Sequence, residues 1–194
     1  MGTMTKCIAL PLLGLLLALP QPSQASQSDE EKSLITYLSA HEFRPSRRIL
    51  DKISKDTNRL LVRVSTYRHL RPTVRVRALA ALALYPSERS RRYLLSLFHE
   101  RSLKGSNTGL LLRSQAMRSA ARAFGIDVVD DIKALRDDEE EHIRAAVAHA
   151  LADSGQRSML SYLRSWLSHA KTIVVKSAID QSIERLKRLE ETRP

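Results

Sequence analysis

Apolar residues recur at spacings of three and four over most of the chain, as on one face of an amphipathic helix. From about residue 57, a helix-like segment with one such stripe is followed, four times, by a second segment rich in alanine and leucine. The pattern therefore predicts four consecutive pairs of helices. The stripes of the four first helices are Leu60, Leu61 and Val64; Leu94, Leu97 and Phe98; Val128, Ile132 and Leu135; and Leu160, Leu163 and Leu167.

The second helix of each predicted pair has its own signature, an aliphatic residue, then a basic residue, then small residues at helical spacing. The basic residues are Arg77, Arg113, Arg144 and Lys176, which lie 36, 31 and 32 positions apart. One pair of this length cannot bury its own apolar faces, so we expect each pair to stack on the next. The second-helix runs cover residues 76–84, 112–120, 143–151 and 175–183.

Helix starts are predicted at three places by local side-chain chemistry. Residues 28–31 read Ser-Asp-Glu-Glu, a capping box that opens a helix running to about Ala40. Pro45 and Pro72 suit first-turn positions, where the missing amide proton costs nothing.

Glycine and acidic residues predict further boundaries. Gly125 and Gly155 each follow a long apolar run, where a left-handed helix end favours glycine. Asp137 with Glu140 predicts a cap before the 143–151 run. The 194 residues include six Gly and seven Pro and no Asn-Gly or Asp-Gly pair, which leaves few hairpin turns. We therefore expect an all-α fold.

The second-helix pattern Val-Arg-x-x-Ala-x-x-Ala-Leu resembles that of HEAT repeats, and the short period is similar to the phycobilisome-lyase-type variety. The best copy is residues 137–155, and the resemblance covers about 57–190. It implies an α-solenoid of antiparallel helix pairs, a HEAT/armadillo-like superhelix, with the array over 57–194 and N-terminal capping helices over 26–56. It also implies that the four basic residues of the second helices form an internal polar ladder.

Residues 1–25 have the features of a secretory signal peptide. Lys6 gives a positive start, residues 8–19 are apolar, and residues 23–25 read Ser-Gln-Ala, a small-x-small cleavage site. The apolar run is shorter than the about 20 residues that span a bilayer. We expect a cleaved signal and export to the periplasm, with a retained anchor or secretion beyond the periplasm as alternatives.

Charge is distributed unevenly along the chain. Residues 44–104 hold 16 Lys and Arg against four Asp and Glu, whereas residues 126–194 hold 11 against 13. Such a basic segment attracts anions through its field. The candidate binding residues are Arg63, Arg68, Arg71, Arg75, Arg91 and Arg92. The alternative interpretation is that these arginines solvate outer helix faces and pair locally.

Motifs that would indicate catalysis or metal binding are weak. The Ser168-x-x-Lys171 spacing lacks the accompanying motifs of the serine enzymes that use it. Glu139-x-x-His142 has the spacing used in di-iron bundles, which need two copies. We therefore expect no enzyme, no metal, no cofactor and no small-molecule substrate.

Two functional hypotheses remain open. The first is a non-catalytic protein–protein interaction module, or scaffold, of the bacterial cell envelope that binds a protein or peptide. The second is an electrostatic binder of anionic lipid, polyanion or acidic protein through the basic N-terminal half. Genomic DNA is not expected as a partner, because the chain carries an export signal and lacks aromatic residues interleaved with its basic ones.

Overall fold

The computed structural model describes residues 28–191, and this part of the chain is helical with connecting turns and no strand. The all-α prediction is confirmed for these residues. The predicted signal peptide, residues 1–25, lies outside them. The helices are α1 Asp29–Ser39, α2 Arg47–Ile53, α3 Thr57–Thr66, α4 Pro72–Leu82, α5 Glu88–Phe98, α6 Asn107–Phe124, α7 Val129–Lys133, α8 Glu141–Asp153, α9 Ser158–Leu167 and α10 Ile173–Glu191.

Most helix boundaries follow the local signals in the sequence. The Ser28 hydroxyl accepts a hydrogen bond from the Glu31 amide (3.3 Å) at the start of α1. Pro72 is the first residue of α4. Gly125 and Gly155 have φ angles of +55° and +67°, a conformation in which a side chain would be strained, and they end the segments containing α6 and α8.

Two predicted helix starts are wrong. Pro45 lies outside α2, which begins at Arg47 after Ser46. Asp137 and Glu140 do not form a side-chain cap for α8, because Glu140 makes no capping hydrogen bond. The Glu140 carboxylate is instead engaged by Arg113 of α6.

The first helix of the third pair is shorter than the apolar spacing predicts. The stripe of Val128, Ile132 and Leu135 is divided among a 3-10 turn at Gly125–Val128, the five-residue α7 and the turn that follows it. All three side chains are nevertheless buried. The burial pattern is therefore as predicted, although the continuous helix is not.

The helices pack in the order in which they occur along the chain. Each first helix contacts its own second helix: α3 packs on α4, α5 on α6, α7 on α8 and α9 on α10. The second helices also contact one another in a row, α4 with α6, α6 with α8, and α8 with α10. At the N-terminal end of this row, α1 packs on α4.

Small residues line the contacts within the row of second helices. Ala116 and Ala120 of α6, Ala146 and Ala150 of α8, and Ala178 of α10 are all buried. Their short side chains let neighbouring helices approach closely, and larger side chains fill the remaining space. The buried apolar residues from Leu34 to Leu186 form one cluster along the described chain.

A buried arginine fixes the geometry between the second and third pairs. Arg113 is 1% exposed and donates from Nε to the carbonyl oxygen of Phe98 (3.0 Å), at the end of α5. Its Nη2 donates to Oδ2 of Asp138 (2.6 Å), and its Nη1 pairs with Glu140. The other oxygen of each carboxylate accepts a hydrogen bond from a backbone amide. Oδ1 of Asp138 accepts from the Glu140 amide (2.9 Å), and Oε1 of Glu140 accepts from the Gly105 amide (3.1 Å). This group is thus satisfied internally.

The equivalent basic residues of the other second helices have related but different roles. Arg77 donates from Nη1 to the carbonyl oxygens of Leu38 and Ala40 (both 2.7 Å), at the end of α1. Arg144 donates to the carbonyl oxygens of residues 138 and 139 (2.7 and 3.0 Å). Lys176 is exposed. Three of the four positions therefore bind helix ends or turns.

Replacing Arg113 tests whether this buried group holds the pairs together. Arg113→Met leaves two nearby carboxylates and the Phe98 carbonyl without their donor, and breaking a buried ion pair in this way costs about 3–5 kcal/mol. We expect the free energy of unfolding in urea to fall by this amount. Arg92→Met is the control, because Arg92 is 77% exposed and its pairing with Glu88 is at the surface; it should change stability by less than about 0.5 kcal/mol. Equal effects of the two substitutions would contradict the assignment.

Candidate functional site

The packing of α6 on α8 and of α8 on α10 brings side chains of the three helices next to one another. Arg122, Asp153 and Arg185 are separated by 31 and 32 positions, the same intervals that separate the three basic residues at 113, 144 and 176. Because the three helices contact in sequence, these residues form one line across the row. The line carries charges of alternating sign.

Asp153 is the centre of this line and is surrounded by three arginines. Its side chain is 0% exposed. Oδ2 accepts from Nε of Arg118 (2.8 Å) and pairs with Nη2 of Arg122 (3.0 Å), both from α6. Oδ1 pairs with Nη1 of Arg185 from α10. One carboxylate of α8 therefore links all three helices.

Asp153 needs more than one arginine because two effects destabilise its buried negative charge. Asp153 is the last residue of α8, where the helix dipole is negative and disfavours a carboxylate, and its burial adds a desolvation cost. Several guanidinium groups offset both effects. The side chains of Arg118, Arg122 and Arg185 are 34%, 38% and 42% exposed, so each retains contact with solvent. Three cations around one anion leave a net positive site that can accept a further anion.

A groove of about 690 Å³ lies beside this cluster, and two of its arginines, Arg118 and Arg185, line the groove. We call it the Asp153 groove; its lining is Arg118, His149, Asp180, Gln181, Glu184, Arg185 and Arg188. The floor is formed by His149 of α8, whose Nδ1 lies 3.3 Å from the hydroxyl of Ser182. The walls come from α6 on one side and α10 on the other.

The pKa of His149 is sensitive to the charged groups that surround the groove. Burial is the largest effect and lowers the pKa of this imidazole, and the positive charges of Arg118 and Arg185 lower it further. The negative charge of Asp153 acts in the opposite direction. His149 therefore stays neutral down to a lower pH than a solvent-exposed histidine does.

Two of the six sequence-predicted arginines serve the fold. Arg63 donates from Nη2 to the buried carboxylate of Glu31 (2.7 Å) and from Nε to the hydroxyl of Tyr67 (3.2 Å). Arg75 donates from Nε to the carbonyl oxygen of Ser65 (2.9 Å), near the end of α3. Burial lowers the pKa of Arg75, and repulsion from Arg68 adds to the effect.

The other four predicted arginines lie on α5 and in the loop before α4. Arg91 donates to the carbonyl oxygen of Asp127 (3.2 Å) and lies 4.0 Å from Glu88. Arg92 lies 3.4 Å from the same carboxylate. Arg68 and Arg71 are exposed, and Arg71 lines a cavity of about 340 Å³ beside α4. The structure thus brings Arg91 and Arg92 together at one carboxylate and Arg68 near Arg75.

The residues around Asp153 were not among the sequence candidates. Counting charge along the chain favours residues 44–104, whereas Arg118, Arg122 and Arg185 lie outside that segment. The signal that could have found them is the repeat register. Advancing from Arg122 by the repeat intervals gives Asp153 and then Arg185, a pattern of opposite charges on adjacent helices.

The Ser168-x-x-Lys171 motif lies in the turn between α9 and α10. The hydroxyl of Ser168 lies 3.0 Å from Nδ1 of His169 and donates to the carbonyl oxygen of Ser165 (2.8 Å). Among residues 28–191, no cluster of three or more His, Cys, Asp or Glu residues has the arrangement of a metal site. None of the helices in that range has the length and apolar character needed to cross a bilayer.

No protein-family model matches the sequence, and no curated protein matches it.

Asp153→Asn should destabilise the fold because it removes the negative charge shared by three arginines. We expect a loss of about 2–3 kcal/mol in the free energy of unfolding, less than for a fully buried pair because the arginines reach solvent. Repulsion among the arginines contributes to this loss, so it should shrink in high salt. Urea unfolding at low and high sodium chloride measures both effects, with Asp180→Asn, an exposed change in the same groove, as the control. A loss that is identical at both salt concentrations would contradict the electrostatic account.

His149 should make the fold less stable as the pH falls below about 7. Its pKa is lowered in the folded state, so the unfolded chain takes up a proton first, near the ordinary pKa of about 6.5. Protonation therefore favours unfolding as the pH drops through that value towards the folded-state pKa. His149→Gln should flatten this part of the curve of urea midpoint against pH. Parallel curves for the two proteins would show that His149 does not cause the dependence.

Proposed function

We propose that this chain is an α-solenoid of HEAT-like helix pairs and acts as a non-catalytic interaction module of the bacterial cell envelope. It binds an acidic segment of a protein partner in the Asp153 groove. The observation that carries the proposal is the buried Asp153 carboxylate with its three partly exposed arginines across α6, α8 and α10.

The order of helix contacts supports the solenoid part of this proposal. Each second helix packs on the second helix of the next pair, from α4 to α10, and each first helix packs on its own partner. Contacts between consecutive units are the defining property of helical repeat arrays, and the extended surface of such arrays is where they bind other proteins. The repeat intervals of 36, 31 and 32 residues agree with this packing.

The chemistry of the groove favours a carboxylate-rich ligand. Arg118 lies on one wall of the groove and Arg185 on the other, and Arg122 contacts the same Asp153 carboxylate. Their guanidinium groups have spare capacity for hydrogen bonds, because one carboxylate cannot occupy all their donors. Their positions are fixed by Asp153, so a ligand need not order them on binding. Glutamate or aspartate side chains of an extended partner segment match these donors.

The location in the envelope rests on the sequence of residues 1–25. Their positive start, apolar centre and small-residue cleavage site are typical of exported proteins. Our proposal places the protein in the periplasm, with secretion beyond it as the alternative.

Binding of a fluorescein-labelled peptide rich in glutamate tests the groove directly. We expect the double substitution R118Q/R122Q to weaken the affinity by about tenfold or more, which corresponds to 1.4 kcal/mol. Asp180→Asn should tighten binding, because it removes a carboxylate from the lining of the groove. Fluorescence anisotropy at several salt concentrations gives the affinity and its salt dependence.

The matched control is R89Q/R92Q on α5, which removes the same charge from side chains that are 59% and 77% exposed. It should change the affinity by less than about threefold. Equal weakening by the two double variants would show that the peptide responds to overall charge and would overturn the proposal. The urea midpoint of each variant separates loss of binding from loss of the fold.

The basic N-terminal half supports one alternative function, binding to an anionic membrane. Arg68 and Arg71 are exposed in the loop between α3 and α4, within the most basic segment of the chain. If this surface acts instead of the groove, R68Q/R71Q will reduce sedimentation with phosphatidylglycerol vesicles, whereas R118Q/R122Q will not. Vesicle binding with that pattern, together with no groove-dependent peptide binding, would favour the alternative.

A further inference from the structure

A second positively charged cavity lies away from the Asp153 groove, between the turn after α7 and the start of α10. It has a volume of about 380 Å³ and we call it the Trp166 cavity. Its lining includes Arg136, Asp137, Arg144, Trp166, Lys171 and Thr172. Volumes in this range accommodate small ligands.

The cations of the Trp166 cavity are not neutralised by the described part of the chain. Arg136 and Lys171 form no ion pair with any residue in 28–191. Arg144 uses Nη1 for the carbonyl oxygens of the 138–139 turn, which leaves its other guanidinium nitrogens available. Against these three positive charges the lining offers one carboxylate, that of Asp137. The cavity therefore carries a net positive charge.

Arg136 is held in place by aromatic rings instead of an acid. Its guanidinium carbon lies 5.7 Å from the ring centre of Trp166 and 5.9 Å from that of Tyr162. Stacking of this kind orients the planar group while leaving its edge free to donate hydrogen bonds. An arginine presented in this way matches the paired oxygens of an oxyanion.

The start of α10 adds uncharged donors to the same cavity. Thr172 directly precedes the helix, yet its hydroxyl is buried without a hydrogen-bond partner and does not cap the first turn. The early amides of a helix lack acceptors unless something outside the helix supplies one. Val175, in the first turn, lines the cavity. A positive helix end and three cations that form no ion pair with residues 28–191 thus line one space.

We propose that the Trp166 cavity binds the phosphate group of a small solute. A phosphate dianion has the charge to balance the surplus cations and enough oxygens to accept from Arg136, Arg144 and the start of α10 together. Lys171 contributes charge at the exposed side. The cavity is larger than one phosphate ion, so it has room for the organic part of a monoester such as glycerol 3-phosphate.

Trp166 is the single tryptophan of the chain and reports directly on this cavity. Titration with inorganic phosphate or with glycerol 3-phosphate, at ionic strength held constant with sodium chloride, should change its fluorescence and give saturable heat in calorimetry. Tighter binding of glycerol 3-phosphate identifies a monoester as the ligand, whereas tighter binding of inorganic phosphate identifies the free ion. The absence of saturable binding of either compound would overturn the proposal.

Substitutions separate this cavity from the Asp153 groove. Arg136→Gln and Lys171→Gln should each weaken phosphate binding by about fivefold or more, as measured by calorimetry. Lys171 is exposed, so its substitution leaves the fold intact. Arg185→Gln in the Asp153 groove is the control and should leave the affinity unchanged within about twofold. Weakening by Arg185→Gln but not by the other two would place the anion in the groove and overturn the proposal, without bearing on peptide binding there.

Discussion

Burial of alanine-lined faces between consecutive second helices is the constraint on which the rest of the structure depends. The row from α4 to α10 brings together side chains that lie about one repeat apart in the sequence. Small residues such as Ala120 and Ala150 keep the helices close. Only at such distances can one side chain of α8 reach partners on both α6 and α10. The charged groups of the protein therefore owe their geometry to its apolar contacts.

Two buried charged residues, Arg113 and Asp153, lie at these helix contacts and differ in how completely their partners satisfy them. Arg113 is a cation with two carboxylates, and the spare oxygens of those carboxylates accept from backbone amides. Nothing in that group is left to bind another molecule. Asp153 is an anion with three arginines whose side chains extend to solvent. The Arg113 group stabilises a contact between helix pairs. The Asp153 group is partly exposed and keeps hydrogen-bond donors that no residue of the group occupies.

Local signals in the sequence predicted most helices, because caps and apolar spacing act over one or two turns. Gly125, Gly155 and Pro72 mark boundaries for reasons contained in their own backbone chemistry. The role of Glu140 was not predictable in this way. An acidic residue before a helix has the same local pattern whether it caps that helix or pairs with a distant arginine, and the pairing with Arg113 spans 27 positions. Such contacts require the packing of α6 on α8 to be known.

Charge composition favours a different part of the chain from the two candidate sites, for a related reason. The segment 44–104 is the most basic, yet Arg63 and Arg75 within it are committed to Glu31 and to the carbonyl oxygen of Ser65. Backbone acceptors do not enter a count of charges. The segment 126–194 has more acidic than basic residues, and it contributes most of the lining of the Asp153 groove and all of the Trp166 cavity. A binding site for anions needs cations that keep hydrogen-bond donors after their internal contacts are made, and three-dimensional contacts, not net charge, determine which cations those are.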